Sequence, residues 1–200
     1  VGVRRPKPGQ HRSRLPTETE IAAITGALGY DGTKPRTQQQ RVAIAFLLAC
    51  QTGMRAGEIR GLTAEHCHAR HVHLPVTKNG EARDVPLTPT AKDLIALVKP
   101  DVGLLFPLSA PVLDVSFRRA RDKCKIKDLT FHDSRHYFCT WAARKLAAVD
   151  LAKVIGHKNL SQLLVYYNPT VSEIADRISS ETTAHIPQAA KPESDHARPA

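Results

Sequence analysis

The chain has 200 residues, 42% hydrophobic and 24% charged, which is enough for one core, too little for two, and too apolar for wholesale disorder. Its 29 Lys and Arg exceed 19 Asp and Glu to give a net charge of +10, which favours a polyanionic partner. The longest apolar run, Val42–Cys50, is about half what a membrane-spanning helix needs, and the amino terminus lacks the apolar stretch of a secretory signal. Cys50, Cys67, Cys124 and Cys139 form no CxxC pair and read as reduced thiols of a cytoplasmic protein.

Residues 1–16 carry Arg4, Arg5, Lys7, Arg12 and Arg14 among three prolines and no acid, the composition of a basic linker or arm. Order is expected from Thr17, where Thr17-x-x-Glu20 is a capping box ahead of Ile21, Ile24 and Leu28. A second helix is predicted over Thr37–Gln51 with Gly53 as its stop, and a short one around Gly57–Leu62. The period then changes to two. His71–Val76 alternates, Asn79-Gly80 is a hairpin signal, and Arg83–Leu87 is the return strand. Thr88-Pro89 opens a helix to about Val98, and Asp114 to about Cys124 is another. Phe131–Leu146 reads as a long helix, Asp150–Ile155 as a short one, and Leu160–Tyr167 as a further helical segment. Thr170-x-x-Glu173 is a second capping box before Ile174 and Ile178, and residues 180–200 read as a disordered tail. The expected fold class is mainly α with a small antiparallel β-sheet, an α+β domain over 17–179.

Five places carry candidate chemistry. Arg55 lies at the junction of two helices, Lys78 beside the hairpin turn, and His132 and Arg135 share a face three residues apart. His157 follows a helix end at Ile155-Gly156, and Tyr166 comes nine residues later. Taken singly, each has an ordinary explanation. A tyrosine in an apolar helix is usually core, a lysine beside Asn-Gly is usually solvated, and His132–Arg135 could be an ion-paired helix start.

Together, TGMRAGEIRGLT (52–63), LPVTKNGEARDVPLT (74–88), FHDSRHYF (131–138) and VIGHKNLSQLLVYYNPT (154–170) resemble the tyrosine recombinases, the phage-integrase family. The resemblance runs from about Leu15 to Ile178, in the order arginine, lysine, His-x-x-Arg, histidine, tyrosine. It implies a tyrosine-recombinase catalytic domain that cleaves and rejoins DNA by transesterification, with no metal and no cofactor. Tyr166 is then the nucleophile, forming a 3′-phosphotyrosine and freeing a 5′-hydroxyl. Arg55 and Arg135 clamp the phosphate, a task that suits the planar guanidinium fork. Lys78 protonates the leaving oxygen, His132 handles the proton of the nucleophile, and His157 donates to the phosphate. Glu58, three residues after Arg55, supports the site from behind. The implied partners are a specific double-stranded DNA site and further copies of the chain in a tetrameric synapse, in a bacterial or phage-encoded cytoplasmic protein.

Several rival readings bear on these roles. Tyr167 is the neighbouring candidate nucleophile, expected instead to pack or touch DNA, and Arg83 is a weaker rival for the part of Lys78. The histidines His66, His68, His71 and His73 with Cys67 invite a zinc reading, but their spacing matches no standard structural site. Arg118, Arg119, Arg121, Lys123, Lys125 and Lys127 are expected to contact the DNA backbone. Ser134 stands where the family usually has leucine, and Asn168 where many members place a histidine. Family members usually carry a helical core-binding domain upstream, of which residues 1–16 would be the linker. A type IB topoisomerase shares the chemistry, and a catalytically silent DNA-binding remnant is the reading from another class.

Overall fold

The computed structural model describes residues 14–76, 80–100, 102–157, 159–167 and 169–181. Helices α1 (Glu18–Ala27) and α2 (Gln38–Thr52) both begin in capping boxes, Thr17 with Glu20 and Thr37 with Gln40. Each box satisfies backbone N–H groups that the first turn leaves without helical partners. Of the expected basic arm, residues 1–13 lie outside the described residues, and Arg14 pairs with Glu20 of α1.

The centre of the molecule is α2, which packs against α1, α4 (Pro89–Val98), α5 (Ala110–Lys123) and α6 (Asp133–Ala143). Its Phe46 ring meets Phe117 of α5 at 4.9 Å and Phe131 at 5.6 Å, tilted or edge-on as aromatic quadrupoles prefer. An apolar helix buried nearly all round needs neighbours on every side, and these helices supply them. A second buried cluster, with Phe138, Cys139, Ala142, Leu151, Ile155 and Leu163, joins α6 to α7 (Ala148–Ile155).

The short helix α3 (Ala56–Arg60) leads to β1 (His71–Leu74), which pairs antiparallel with β2 (Arg83–Pro86) in the register Val72↔Val85 and Leu74↔Arg83. Val72, Leu74 and Val85 point inward, as the alternation requires. Among the described residues the pairing runs from His71↔Pro86 to Leu74↔Arg83, and Asn79 of the expected Asn79-Gly80 turn lies outside them. Residues 77–79 lie outside the described residues.

Three segments depart most from the sequence expectation. Helix α5 starts four residues before Asp114, at Ala110, because Ser109 caps Val112 and Pro111 sits in the first turn, where a missing N–H costs nothing. Helix α6 spans 133–143 rather than 131–146. At its start Asp133 binds the Thr130 N–H at 2.7 Å, and at its end the N–H groups of Lys145 and Leu146 both fold back onto the Ala142 carbonyl. Residues 160–166 form two 3₁₀ turns, Leu160–Gln162 and Leu164–Tyr166, hinged on the fully buried Leu163.

The chain divides into two units at Tyr167 and Asn168. In the second, α8 (Val171–Glu181) opens in the Thr170–Glu173 capping box. Residues 182–200, most of the expected tail, lie outside the described residues.

Candidate active site

The site is built where α2, α6 and α7 converge. Helices α2 and α7 both end on a left-handed glycine, Gly53 at φ 66° and Gly156 at φ 67°. A Cβ on Gly53 would come 2.5 Å from the Phe138 ring, so that position requires glycine on two grounds. These endings turn the carbonyls of Gly53 and Ile155 toward one guanidinium. Arg135, nearly fully buried on α6, donates from Nη1 to Gly53 O and from Nη2 to Ile155 O, each at 2.6 Å. The negative ends of two helices thus neutralise part of a buried charge. Burial, and then the neighbouring Arg55, pull the Arg135 pKa down to about 10, which still leaves it cationic at neutral pH.

Arg55 is the residue preceding α3. Its backbone N–H donates to Glu58 Oε2 at 2.8 Å and its Nη1 to Glu58 Oε1 at 2.9 Å. Arg83 grips the same carboxylate with both terminal nitrogens, at 2.8 and 2.7 Å, and its Nε donates to Val154 O at 3.0 Å. Burial alone would raise the Glu58 pKa, but the bonds from Arg83 and Arg55 outweigh it and hold the group ionised. Arg83 is therefore a strut between Glu58 and the end of α7. Lys78 itself lies outside the described residues.

His157 follows Gly156, half-buried, and its Nδ1 is buried without a hydrogen-bond partner among the described residues. Burial, then the charges of Arg135, Arg55 and Arg83, lower its pKa to about 4. A group that feels three guanidinium charges at once marks a strongly positive, anion-seeking locus. His132 is exposed at the start of α6 and lines a cleft of about 340 Å³ with Arg135, Arg60 and Asp114.

The paired tyrosines are separated by their hydroxyls. Tyr167 donates to the Leu146 carbonyl at 2.7 Å, a structural bond, whereas Tyr166 Oη lies 2.6 Å from His136 Nδ1. Burial and the adjacent Cys139 push the Tyr166 pKa above its ordinary value, and Arg135 pulls it down. Arg135 thus bridges the ends of α2 and α7, Arg55 and His157 each stand two residues beyond the carbonyls it holds, and Tyr166 bonds the residue next to it, with Glu58 behind Arg55. The motifs give no role to His136, although it lies four residues after His132 and hence on the same helical face.

The basic cluster is split. Arg118, Arg119, Lys123, Lys125 and Lys127 are exposed, Arg118 beside Asp114 at 3.1 Å. Arg121 is instead pinned, donating from Nη1 to Leu129 O at 3.0 Å and pairing with Asp122. The histidines around β1 are also engaged. His66 Nδ1 accepts from the Thr63 N–H at 3.2 Å, His68 stacks on His71, and His73 bonds Asp84 at 2.7 Å.

Comparison with known proteins bears on the same residues. The chain is 38% identical over 182 residues to an integrase/recombinase of Haemophilus influenzae, covering 88% of this chain and 60% of that protein. It is 30% identical over 183 residues to the shufflon-specific DNA recombinase of Escherichia coli, covering 89% and 46%. It thus spans about half the length of these relatives. Its fold superposes on the catalytic domain of bacteriophage HP1 integrase with a TM-score of 0.66 at 20% identity, covering 86% of this chain and 98% of that domain. Residues 17–173 match the phage integrase family, and the chain belongs to that family.

Proposed function

We propose that the chain is the strand-transferring part of a site-specific DNA recombinase or integrase, acting through a 3′-phosphotyrosyl intermediate without a metal ion. The observation that carries the reading is that Arg135 holds the carbonyls two residues before Arg55 and two residues before His157, while the Tyr166 hydroxyl bonds the residue next to Arg135. A phosphodiester under attack spreads charge over its non-bridging oxygens, and preformed cations there stabilise the transition state without reorganising. Arg135 has five N–H donors and gives two to carbonyls, so its remaining edge can serve a phosphate oxygen. The neutral His157 can donate a ring N–H to a phosphate oxygen, and a bound phosphate offsets part of the guanidinium field around it. Tyr166 supplies the oxygen that bonds to phosphorus, and Lys78 protonates the departing 5′ oxygen.

In this reading residues 17–179 are the catalytic domain, residues 1–16 a basic arm and 180–200 a tail. The partner is double-stranded DNA, on which copies of the protein assemble as a tetrameric synapse, in the cytoplasm where such DNA is found. Among the described residues no helix is long and apolar enough to cross a membrane. The test is a nicked suicide duplex. A covalent adduct should form in EDTA, should vanish in Tyr166→Phe and should persist in Tyr167→Phe. An adduct that survives in Tyr166→Phe overturns the nucleophile, and loss of the adduct on chelation overturns the metal-free chemistry.

A further inference from the structure

The residue after Arg135 lies closest to the chemistry without a part in it. His136 is half-buried on α6, and its Nδ1 is 2.6 Å from Tyr166 Oη. The two rings are 6.1 Å apart and tilted by 40°, so the contact is made through the imidazole nitrogen rather than by stacking. On its other side His136 stands edge-to-face on His132, with centroids 5.3 Å apart and planes at 88°. With the phenol as donor, Nδ1 presents its lone pair and the ring proton sits on Nε2. The resemblance gives the proton of the nucleophile to His132, which is exposed and lines the cleft beside Arg135.

We propose that His136 is the catalytic base that takes the Tyr166 proton as the phenolic oxygen attacks phosphorus. The inference rests on the reading of Tyr166 as the nucleophile. In the step, a lone pair of Tyr166 Oη forms the new O–P bond while the hydroxyl proton passes to His136 Nδ1. The bond from phosphorus to the 5′ oxygen breaks with its electron pair on that oxygen, which takes a proton from the leaving-group acid. On rejoining, the 5′-hydroxyl attacks and His136 returns the proton to the departing phenol. Two features make a nearby acceptor necessary. Burial and Cys139 keep the phenol protonated against the pull of Arg135, and a 2.6 Å contact is already at the separation that general-base transfer requires. The groups that set the basicity of the imidazole are His132, Arg135 and Cys139 of its own helix and Tyr166 opposite.

The experiment uses the chain with a pool of duplexes that carry a randomised stretch and 5′-bridging phosphorothiolate linkages. The sulfur leaves without an acid, so the rate reports on loss of the phenolic proton. His136→Asn keeps an acceptor near the Nδ1 position but cannot hold the proton. It should bind the pool as the parent does, yet form the covalent adduct about 10²- to 10⁴-fold more slowly and lose the acidic limb of the pH–rate profile. A rate within about threefold of the parent, with that limb intact, overturns the assignment, the loss of a general base being worth far more. Tyr166→Phe is measured alongside. An adduct there, or none from the parent, overturns the functional reading rather than the choice of base. Should His136→Asn melt early, nitrogen-15 spectra of the parent decide. An unprotonated Nδ1 on His136 supports the proposal, and a protonated one overturns it.

Discussion

Arg83 and Glu58 meet fork to fork at 2.8 and 2.7 Å, both nearly buried, and so join the strand β2 to the turn that carries Arg55. The same carboxylate holds Arg55 through its backbone and its guanidinium, so one acid orients two cations at the edge of the site. Removing that acid would leave two guanidinium groups with no counter-charge in a poorly hydrated setting. Glu58→Ala should therefore lose about 3–5 kcal/mol, the cost of breaking a buried pair from one side, measured by urea unfolding. Glu58→Gln should lose less and still slow adduct formation, because Arg55 is no longer held in place.

Gly53 makes a second prediction. Alanine there would carry a left-handed φ of 66° and a methyl group 2.5 Å from Phe138 Cδ1, an aromatic ring in the second core cluster. Backbone strain and overpacking together should cost about 2 kcal/mol or more. The carbonyl that receives Arg135 Nη1 belongs to the same residue, so adduct formation should fall further than stability alone explains. Ala56→Gly, in the first turn of α3, is the control for a small change nearby.

The helices were readable because their caps and periods are local. Thr17–Glu20, Thr37–Gln40 and Thr88-Pro89 each announce a helix start within four residues, and the structure has all three. The start of α5 was not, since Pro111 looks like a break until Ser109 is seen to cap the turn that contains it. Arg55, Arg135, His157 and Tyr166 were legible as an ordered series of motifs. The clamp of Arg83 on Glu58 was not, because it joins residues 25 apart through a strand pairing that no local pattern reports. His136 could have been found from its helical spacing to His132, but its contact with Tyr166 depends on the 3₁₀ turns that follow α7. The basic cluster shows the same limit, since Arg121 looks like its neighbours in sequence and bonds a carbonyl eight residues away.

That difference within the cluster is measurable. Arg121→Ala should destabilise the fold by about 1–3 kcal/mol, because Leu129 O loses a charged donor in a partly buried position. Lys123→Ala, Lys125→Ala and Lys127→Ala should leave the melting temperature nearly unchanged. If they touch phosphates, each should lower the salt slope of DNA binding by about one counterion. Fluorescence anisotropy on one duplex at several salt concentrations separates the two behaviours.

The pH dependence turns on His157. Its pKa is about 4 in the folded chain, against about 6.5 for a free histidine, because burial and three guanidinium charges disfavour the imidazolium. Between those values the unfolded chain binds a proton that the folded chain does not, so stability rises with pH through that window. The contribution is fully present above pH 6.5 and is lost progressively as pH falls toward 4. Melting curves from pH 8 to 4 should show that decline, and His157→Gln should flatten it over the same range. A bound phosphate offsets part of that positive field, which raises the imidazole pKa from its value in the free protein. DNA binding by the parent should therefore tighten as pH falls toward 4 while the fold itself weakens, and His157→Gln should remove both trends together.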